Sequence, residues 1–454
     1  MPDLLATLDR AVRGVVVGTA AAGERFGKDA SHLRGRPLAG VRPADPEDVV
    51  GLVGWARSHH VPLVARGGGS SLDGESVPSD GAVVVDFSGW DHVIEIDVDD
   101  RLARVGPGVI NRELHRALAP HGLFFPPNPG SWTTSTLGGN VASNASGPRS
   151  FKYGVTRDWV AGLDVVLGTG ERTHLGGRTT KRSTGPDLLG LFVGSEGILG
   201  FVTEVTVRLA VRPPRRCGIV VPLSAGQRLG PLARAIARWP TDRLSAVEYL
   251  DETCAQALAA EARGRFPPGH GLVLLELESS DEDEETRGLT LLLERLTALG
   301  VVEEPRVAPD ADELWTLRGQ SGLALDRTLG ERIREDVAVP LSRLDDLLAA
   351  VARIAKRHGV EVPTFGHVGD GNLHPNFVVD PTTPLAARIR SDLLRETRQL
   401  GGTISAEHGI GALKAPYLPL EVDPPSLALL RDVKRACDPD GVLNPGKVFP
   451  ASDG

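Results

Sequence analysis

The apolar positions near the start of the chain predict two helices, a strand and then a glycine-rich turn. Residues 4–12, "LLATLDRAV", space their apolar side chains as an amphipathic helix does. Asp45 and Pro46 suit the N-cap and the first position of a second helix. The sequence "VPLVA" at residues 61–65 predicts a short strand, which leads directly into the glycine-rich residues 66–71.

The second half of the chain has a different pattern. From about residue 214 glycine becomes rarer, and apolar strands alternate with helices of ten or more residues, interrupted by one direct hairpin. This order predicts two ferredoxin-like halves that build one α+β cap domain. The predicted strands are, in chain order, "CGIVVPL", "LSAVEYL", "GLVLLELES", "EDVAVP", "EVPTFGHV" and "LHPNFVV".

The hairpin "GHVGDGNLHPN" at residues 366–376 carries the first candidate chemistry. If residues 369–372 form a four-residue loop, His367 and His374 face each other on one side of the sheet. Directly opposed side chains have Cβ atoms roughly 5 Å apart, so both rings could reach one ion or one substrate. Asn376 points to the same side because strand side chains alternate. On this stretch alone, a polar hairpin tip with solvated histidines is an equal alternative.

Composition limits the class of protein. A chain of 454 residues predicts two or three domains. With 50 Lys and Arg against 59 Asp and Glu, and no basic block with interleaved aromatic residues, nucleic-acid binding is not expected. Every apolar run is shorter than the roughly 18 residues that a membrane-spanning helix needs. The sequence therefore predicts no transmembrane segment.

The cysteines and the N-terminus indicate the compartment. Cys217, Cys254 and Cys437 lie far apart and form no C-x-x-C pair, so neither an iron–sulfur cluster nor a disulfide scaffold is expected. Asp3 and Asp9 do not fit a signal peptide. We therefore predict a soluble cytoplasmic protein.

Three glycine-rich stretches point to a ligand. A glycine-rich loop after a strand, as at residues 66–71, suits phosphate binding, although a structural tight turn explains it equally well. The G-x-G-x-x-G fingerprint of a Rossmann domain is missing. Residues 126–154 contain so few large side chains that close contact with a flat, extended ligand explains them better than core packing. A Gly-Ser-Glu-Gly turn within residues 188–209 then precedes another predicted strand.

Together these stretches resemble the FAD-binding domain of the vanillyl-alcohol oxidase and p-cresol methylhydroxylase superfamily, in its branch of D-2-hydroxy acid dehydrogenases. The similarity runs from about residue 37 to about residue 450. It implies an α+β protein with a two-part FAD-binding domain of the p-cresol methylhydroxylase type and a ferredoxin-like α+β cap. The predicted divisions are an N-terminal helical segment (1–36), the FAD-binding domain (37–213), the cap (214–420) and a C-terminal segment that returns to the FAD domain (421–454).

The resemblance also implies which residues contact FAD. Ser70 stands where relatives with covalent flavin carry a histidine, so non-covalent FAD is expected. Asp73 and Glu75 depart from the pattern, because carboxylates that pointed into a phosphate-binding loop would weaken this assignment. The implied cofactor contacts are Arg66, Gly67, Gly68, Gly69, Ser70, Ser71, Gly74, Pro129, Gly138, Gly139, Asn140, Ala142, Asn144, Ala145, Ser146, Gly147, Glu196, Gly197, Ile198, Gly200, Val202 and Asn444.

The stretch "TISAEHGIG" at residues 403–411 adds a carboxylate and a histidine. A surface turn is the alternative. With His367 and His374, Glu407 completes a His, His, carboxylate set that suits Zn²⁺ or a related divalent metal. The resemblance implies that this set binds the metal and that the next residue, His408, is the general base.

Substrate contacts follow from the same resemblance. Arg318 matches the substrate-anchoring arginine of the family, and its planar fork favours carboxylates. An exposed helical arginine is the alternative. Arg334 is the closest counterpart of a second basic contact, and Asn376 could steady the substrate carboxylate.

The implied activity is oxidation of a D-2-hydroxy acid to the 2-oxo acid, with hydride transfer to FAD. The electron acceptor and the individual acid stay open, and a homodimer is allowed. Alternatives are the FAD subunit of a glycolate-oxidase-like complex that works only with an iron–sulfur partner, and a flavin-dependent alkyl-glycerone-phosphate synthase-like transferase. A flavin-free metallohydrolase would leave the glycine-rich first half unexplained.

Overall fold

The computed structural model describes residues 4–224, 226–239, 243–262, 264, 266–301, 303–308 and 310–450. The chain forms two compact units. The first contains residues 1–146, 155–211 and 407–454, and the second contains residues 147–154 and 212–406. Among the described residues, no helix has both the length and the apolar character that crossing a membrane requires.

A four-stranded sheet begins the first unit. Asp45 caps the helix Pro46–His59 by accepting a hydrogen bond from the backbone N–H of Asp48, as the sequence predicts. This helix packs its apolar face on the sheet, and the strand Leu63–Arg66 leads into the glycine loop. The strands lie in the spatial order Val15–Val17, Ala39–Arg42, Val83–Asp86 and Leu63–Arg66; the first pair is antiparallel and the others are parallel.

A second, antiparallel sheet completes the first unit. Its strands lie in the order Val93–Asp97, Leu102–Val105, Gly200–Arg208, Val160–Leu167 and Arg172–Gly176. A separate two-stranded antiparallel sheet pairs Leu123–Phe124 with Ala210–Val211. The remaining helices of the unit are Leu4–Ala11, Thr19–Phe26, Asn111–Leu118, Leu137–Ser143, Thr156–Trp159, Leu188–Phe192 and Pro424–Cys437, with 3₁₀ turns at Ala119–His121 and Ala415–Leu420.

The second unit is built on one antiparallel sheet. Its strands lie in the order Arg306–Ala308, Arg215–Leu223, Gly271–Ser279, Leu244–Leu250, Thr364–Gly366, Asn372–Phe377 and Ile333–Arg334, and Val337–Ala338 also pairs with Asn372–Phe377. Its helices are Ser150–Tyr153, Leu229–Ala237, Glu252–Ala257, Ala259–Ala262, Glu282–Ala298, Ala311–Gly319, Ser321–Leu329, Leu344–His358 and Pro384–Gln399, with a 3₁₀ turn at Leu341–Arg343. Strands and helices therefore alternate as the pattern predicts.

The compact units differ from the predicted domain boundaries at three main places. Residues 147–154, which are predicted within the FAD-binding domain, belong to the second unit. The N-terminal segment joins the first unit because Val15–Val17 pairs with Ala39–Arg42. The chain re-enters the first unit at residue 407 and not at 421, because residues 409–414 bond to that unit; Ala412, for example, donates to the carbonyl of Asp73. The predicted cap, residues 214–420, includes this segment.

The hairpin register differs from the prediction by two residues. Phe365, and not His367, is opposite His374, while Asn372 donates from its backbone to the carbonyl of His367. The loop is therefore residues 368–371, with Gly371 at φ 74°. A shift of two residues preserves the face of each side chain, so both histidines stay on one side of the hairpin.

Candidate active site

The glycine loop lies against the second predicted cofactor segment, within the first unit. A Cβ atom on Gly67 would overlap the hydroxyl of Thr136, and one on Gly68 would overlap the carbonyl of Thr134. These glycines are therefore required by the close approach of two chain segments, both of which the sequence analysis assigned to cofactor binding. Ser70 and Ser71 are half-buried in the same loop.

The guanidinium of Arg66 lies against Gly69 of its own loop, where a Cβ atom would be 2.2 Å from Nη2. Its Nη1 donates to the carbonyl of Lys28 at 2.8 Å, and the group lies 5.9 Å from the ring centroid of Phe26. Burial lowers the pKa of Arg66.

The second segment forms a short helix, although its many small residues do not predict one. Thr136 caps Leu137–Ser143 by accepting from the N–H of Gly139. The helix contains Gly138, Gly139, Asn140 and Ala142, and Asn144 ends it with φ 52°. Ala145, Ser146 and Gly147 follow, while the more distant Pro129 accepts a turn hydrogen bond from Trp132.

Glu196 has an unusual backbone and a fully engaged carboxylate. Its φ is 51°, and its two carboxylate oxygens accept the backbone N–H groups of Ile410 and Gly411, each at 2.7 Å. The side chain thus bonds to the loop that carries Glu407 and His408. Gly197, Ile198, Gly200 and Val202 follow along the chain, the last two in the strand Gly200–Arg208.

Asp73 and Glu75 are directed toward residues 409–414. Both are buried, and Asp73 lies 3.2 Å from the ammonium of the fully buried Lys414. Burial and the charge of Glu196 raise the pKa of Glu75 well above its ordinary value. Burial also raises the pKa of Glu196 to about 7, against the opposing effect of its two backbone hydrogen bonds. Residues 73–75 therefore face residues 409–414, and a lysine partly compensates their charge.

Two buried amide groups provide a test of whether a flavin fits. Asn444 donates to the carbonyls of Glu75 and Glu196, yet its Oδ1 has no hydrogen-bond partner among the described residues. The Nδ2 of Asn140 likewise lacks a partner there. An unmatched acceptor and an unmatched donor suit a heterocycle that, like a flavin, has both N–H and carbonyl groups.

Glu407 and His408 also belong to the first unit. Oε2 of Glu407 accepts from the hydroxyl of Ser146 at 2.6 Å. Nε2 of His408 lies 3.9 Å from the other oxygen of Glu407. The predicted metal ligands are thus divided, with His367 and His374 in the second unit, and the three-ligand set stays a prediction.

The two histidines of the second unit form a buried pair. Their ring centroids are 5.1 Å apart, with the planes nearly perpendicular. Each offers a ring nitrogen within 4.8 Å of one in the other. His367 is 6% exposed and His374 is 4% exposed, which excludes a solvated hairpin tip. This separation allows two ligands of one cation.

Glu248, which the sequence motifs do not single out, contacts His367. Its Oε1 lies 2.5 Å from Nδ1 of His367, and its Oε2 lies 2.5 Å from Nη2 of Arg318. A single charged residue within the buried strand Leu244–Leu250 is the available signal, because a buried charge requires partners.

Arg318 is buried, and one of its N–H donors makes no hydrogen bond within the described part of the chain. Its guanidinium lies 4.7 Å from the ring centroid of Phe365 and pairs with Glu248. Its Nε has no hydrogen-bond partner among the described residues. The alternative of an exposed helical arginine is therefore wrong.

The other predicted substrate contacts are partly engaged. Asn376 accepts from Nε of the buried Arg332, which the sequence analysis had not selected, and donates to the carbonyl of His374. Arg334 is half-buried and pairs with Asp326 at 2.7 Å. The side chain of Arg334 is more exposed than that of Arg332.

Family models match both halves of the chain. Residues 37–176 match the "FAD binding domain", and residues 216–448 match "FAD linked oxidases, C-terminal domain". The chain is 34% identical to the glycolate oxidase subunit GlcD of Bacillus subtilis, over 91% of this chain and 89% of that protein. It is 32% identical to D-2-hydroxyglutarate dehydrogenase of Stutzerimonas stutzeri, over 94% of each chain, and 33% identical to D-lactate dehydrogenase of Archaeoglobus fulgidus, over 90% of each chain.

Solved structures agree on the fold. The structure matches p-cresol methylhydroxylase with a TM-score of 0.81 at 17% identity, covering 99% of this chain and 97% of that one. It matches alkyldihydroxyacetonephosphate synthase with a TM-score of 0.73 at 18% identity, covering 98% and 84%. The predicted two-domain fold of the p-cresol methylhydroxylase type is confirmed. The chain belongs to the FAD-linked oxidases, and it is an FAD-dependent oxidoreductase of that family.

Proposed function

We propose that this enzyme oxidises a D-2-hydroxy acid to the corresponding 2-oxo acid. The observation that carries the proposal is the buried pair His367 and His374, beside an arginine with an unused donor, in a chain of the FAD-linked oxidases. Relatives named for D-lactate and D-2-hydroxyglutarate support the substrate class and its configuration.

FAD would be held non-covalently by the glycine loop at residues 66–74, the segment at residues 138–147 and Asn444. The unmatched amide atoms of Asn140 and Asn444 support this assignment. Ser70 offers no imidazole for a covalent flavin link. When bound, the flavin accepts the hydride that leaves the α-carbon of the substrate.

His367, His374 and Glu407 are proposed to hold a divalent metal. Ala406, the last residue of the second unit, donates its backbone N–H to Asp336, and Glu407 is the next residue along the chain. Two imidazoles and one carboxylate favour Zn²⁺. A metal in this set would lower the pKa of the substrate hydroxyl.

Two side chains are proposed to act on the substrate, His408 as the general base and Arg318 as the group that binds its carboxylate. His408 is proposed to take the proton of the α-hydroxyl, since an imidazole titrates near neutral pH. Arg318 would bind the substrate carboxylate through its remaining donors, with Asn376 beside it and Arg334 available for a second carboxylate. Bidentate binding by Arg318 would favour an acid over a simple alcohol.

A second candidate is a subunit that works only in a larger electron-transfer complex, because a relative is named as a glycolate oxidase subunit. An iron–sulfur partner would then be the immediate electron acceptor. We also propose a cytoplasmic location, which the three unpaired cysteines support. A homodimer stays a prediction that light scattering tests.

Turnover with an artificial electron acceptor tests the proposal. Purified protein is incubated with matched D and L forms of several 2-hydroxy acids, and 2-oxo acids are measured by chromatography. We expect a 2-oxo acid from at least one D form and none from its L form. Turnover of an L form alone, or of simple alcohols, would contradict the proposal. Turnover that begins only when an iron–sulfur partner is added would favour the second candidate.

A further inference from the structure

Glu248 is a fully buried carboxylate in the middle of the sheet of the second unit. It is the one charged residue of the strand Leu244–Leu250, and its exposed fraction is 0%. The antiparallel register pairs Tyr249 with Gly366 and Leu250 with Phe365. The same register continued by one residue puts Glu248 opposite His367.

Each oxygen of Glu248 has its own partner. Oε1 meets Nδ1 of His367 at 2.5 Å, and Oε2 meets Nη2 of Arg318 at 2.5 Å. A buried carboxylate is expensive unless both charge and hydrogen-bonding capacity are matched. The partners are the two residues to which the proposed function assigns metal and substrate: His367 is in hydrogen-bonding contact with Oε1, and Arg318 supplies the opposite charge in an ion pair with Oε2.

The pairing determines where the proton of His367 lies. Oε1 of Glu248 lies 2.5 Å from Nδ1 of His367, and a carboxylate oxygen accepts a hydrogen bond from a ring N–H. This contact is matched when Nδ1 of His367 carries the proton. The lone pair of the neutral ring then lies on Nε2, which is the nitrogen that a cation would bind.

We propose that Glu248 is a positioning residue that fixes the tautomer of His367 for a divalent cation and holds Arg318 for the substrate carboxylate. The inference rests on the proposed function, since it assumes that function's cation and acid. One carboxylate thus couples the metal ligand to the substrate anchor. Loss of Glu248 should alter metal affinity and substrate affinity together.

Two substitutions separate these roles. In Glu248→Gln the amide oxygen can still accept from Nδ1 of His367, but the charge that holds Arg318 is lost. We expect a raised KM for the acid with a small change in zinc affinity. In Glu248→Ala both contacts are lost, and zinc affinity should fall roughly 10–100-fold, as for other outer-shell ligands.

Glu276→Gln is the matched control. Glu276 lies in the adjacent strand Gly271–Ser279, is equally buried and pairs with Arg149 and Arg216, but it has no bond to either histidine. Zinc affinity is measured by competition with a chromophoric chelator. Steady-state kinetics then show whether the substitution changes KM, kcat or both. Wild-type zinc affinity in Glu248→Ala, or equal losses in Glu276→Gln, would overturn the inference while leaving the proposed function intact. A wild-type protein that binds no zinc would overturn both.

A measurement on the unmodified protein covers the case in which the variants do not fold. Nitrogen NMR of ¹⁵N-histidine-labelled, chelator-treated protein reports the tautomer of each ring, and a His367→Gln variant assigns the signal. We expect the Nδ1–H tautomer at His367. The Nε2–H tautomer would overturn the inference independently of metal binding.

Discussion

At the scale of single residues, the first unit places polar side chains on strained backbone at the proposed site. Glu196 and Asn444 have φ values of 51° and 42°, conformations that side-chain-bearing residues rarely adopt. Both bond to other predicted site segments. Strain of this kind persists only where the surroundings enforce it, and such residues often lie at functional sites.

Replacing Asn444 by Gly tests its role in cofactor binding. Glycine keeps the positive φ but removes the amide that bonds to Glu75 and Glu196. Two buried carbonyls would lose a donor, at roughly 1–3 kcal/mol each. We expect lower thermal stability and release of FAD on dialysis, measured by the absorbance ratio of flavin to protein. A variant that stays as yellow and as stable as wild type would show that Asn444 is not a cofactor-positioning residue.

Replacing His408 by Ala tests the proposed base. General base catalysis contributes roughly 10²–10⁴-fold, so the rate of anaerobic flavin reduction should fall by that factor while FAD stays bound. Stopped-flow absorbance measures the rate, and His121→Ala, at an exposed position, is the control. Unchanged reduction in His408→Ala would exclude His408 as the base.

At the scale of elements, the hairpin shows which structural features a sequence pattern predicts and which it does not. The two strands, and the shared face of His367 and His374, follow from alternation. The register was wrong by two residues because the pattern allowed two four-residue loops. The observed loop packs against Val339, a residue distant in sequence: a Cβ on Gly371 would overlap its carbonyl. Contacts of this kind, like the partner of Glu248, are not encoded locally.

Gly371→Ala tests the observed turn. At φ 74° an alanine is strained by roughly 1–2 kcal/mol, and the overlap with Val339 adds to this. Gly359→Ala is the matched control, because its φ is 66° but its Cβ would lie in open space. Urea denaturation should show a clearly larger loss of unfolding free energy for Gly371→Ala. Equal losses would indicate that the turn does not pack as described.

At the scale of the whole molecule, the sequence predicted the two-part fold and the family, because several glycine and histidine motifs agree in order over most of the chain. It could not predict where residues 407–420 belong. That depends on the carboxylate of Glu196 and the carbonyl of Asp73, which reach residues 410–412 from distant parts of the chain.

The buried carboxylates predict a pH dependence of stability. Glu75 and Glu196 have raised pKa values, the latter about 7 against an ordinary 4.5. Such groups favour folding when protonated, so their contribution is complete below the ordinary carboxyl pKa of about 4.5 and is lost as the pH rises through the raised pKa, which is about 7 for Glu196. Glu75→Gln should therefore become more stable relative to wild type between pH 5 and pH 8. Chemical denaturation measures this difference, with the exposed Glu24→Gln as control; a difference that stays constant with pH would contradict it.

Metal removal tests the cation separately from the flavin. Treatment with a strong chelator should abolish turnover and leave the visible flavin spectrum unchanged, because the two groups are proposed to use different residues. Zinc should restore activity. Full activity in protein shown by elemental analysis to be metal-free would contradict the assignment of His367, His374 and Glu407.

The most direct test of the central claim is the anaerobic absorption spectrum of the purified protein before and after adding paired D- and L-2-hydroxy acids. We predict that one D acid bleaches the flavin band near 450 nm, as expected for a two-electron reduction by hydride transfer, while its L form does not. A flavin band that no 2-hydroxy acid of either configuration bleaches would contradict the proposed activity.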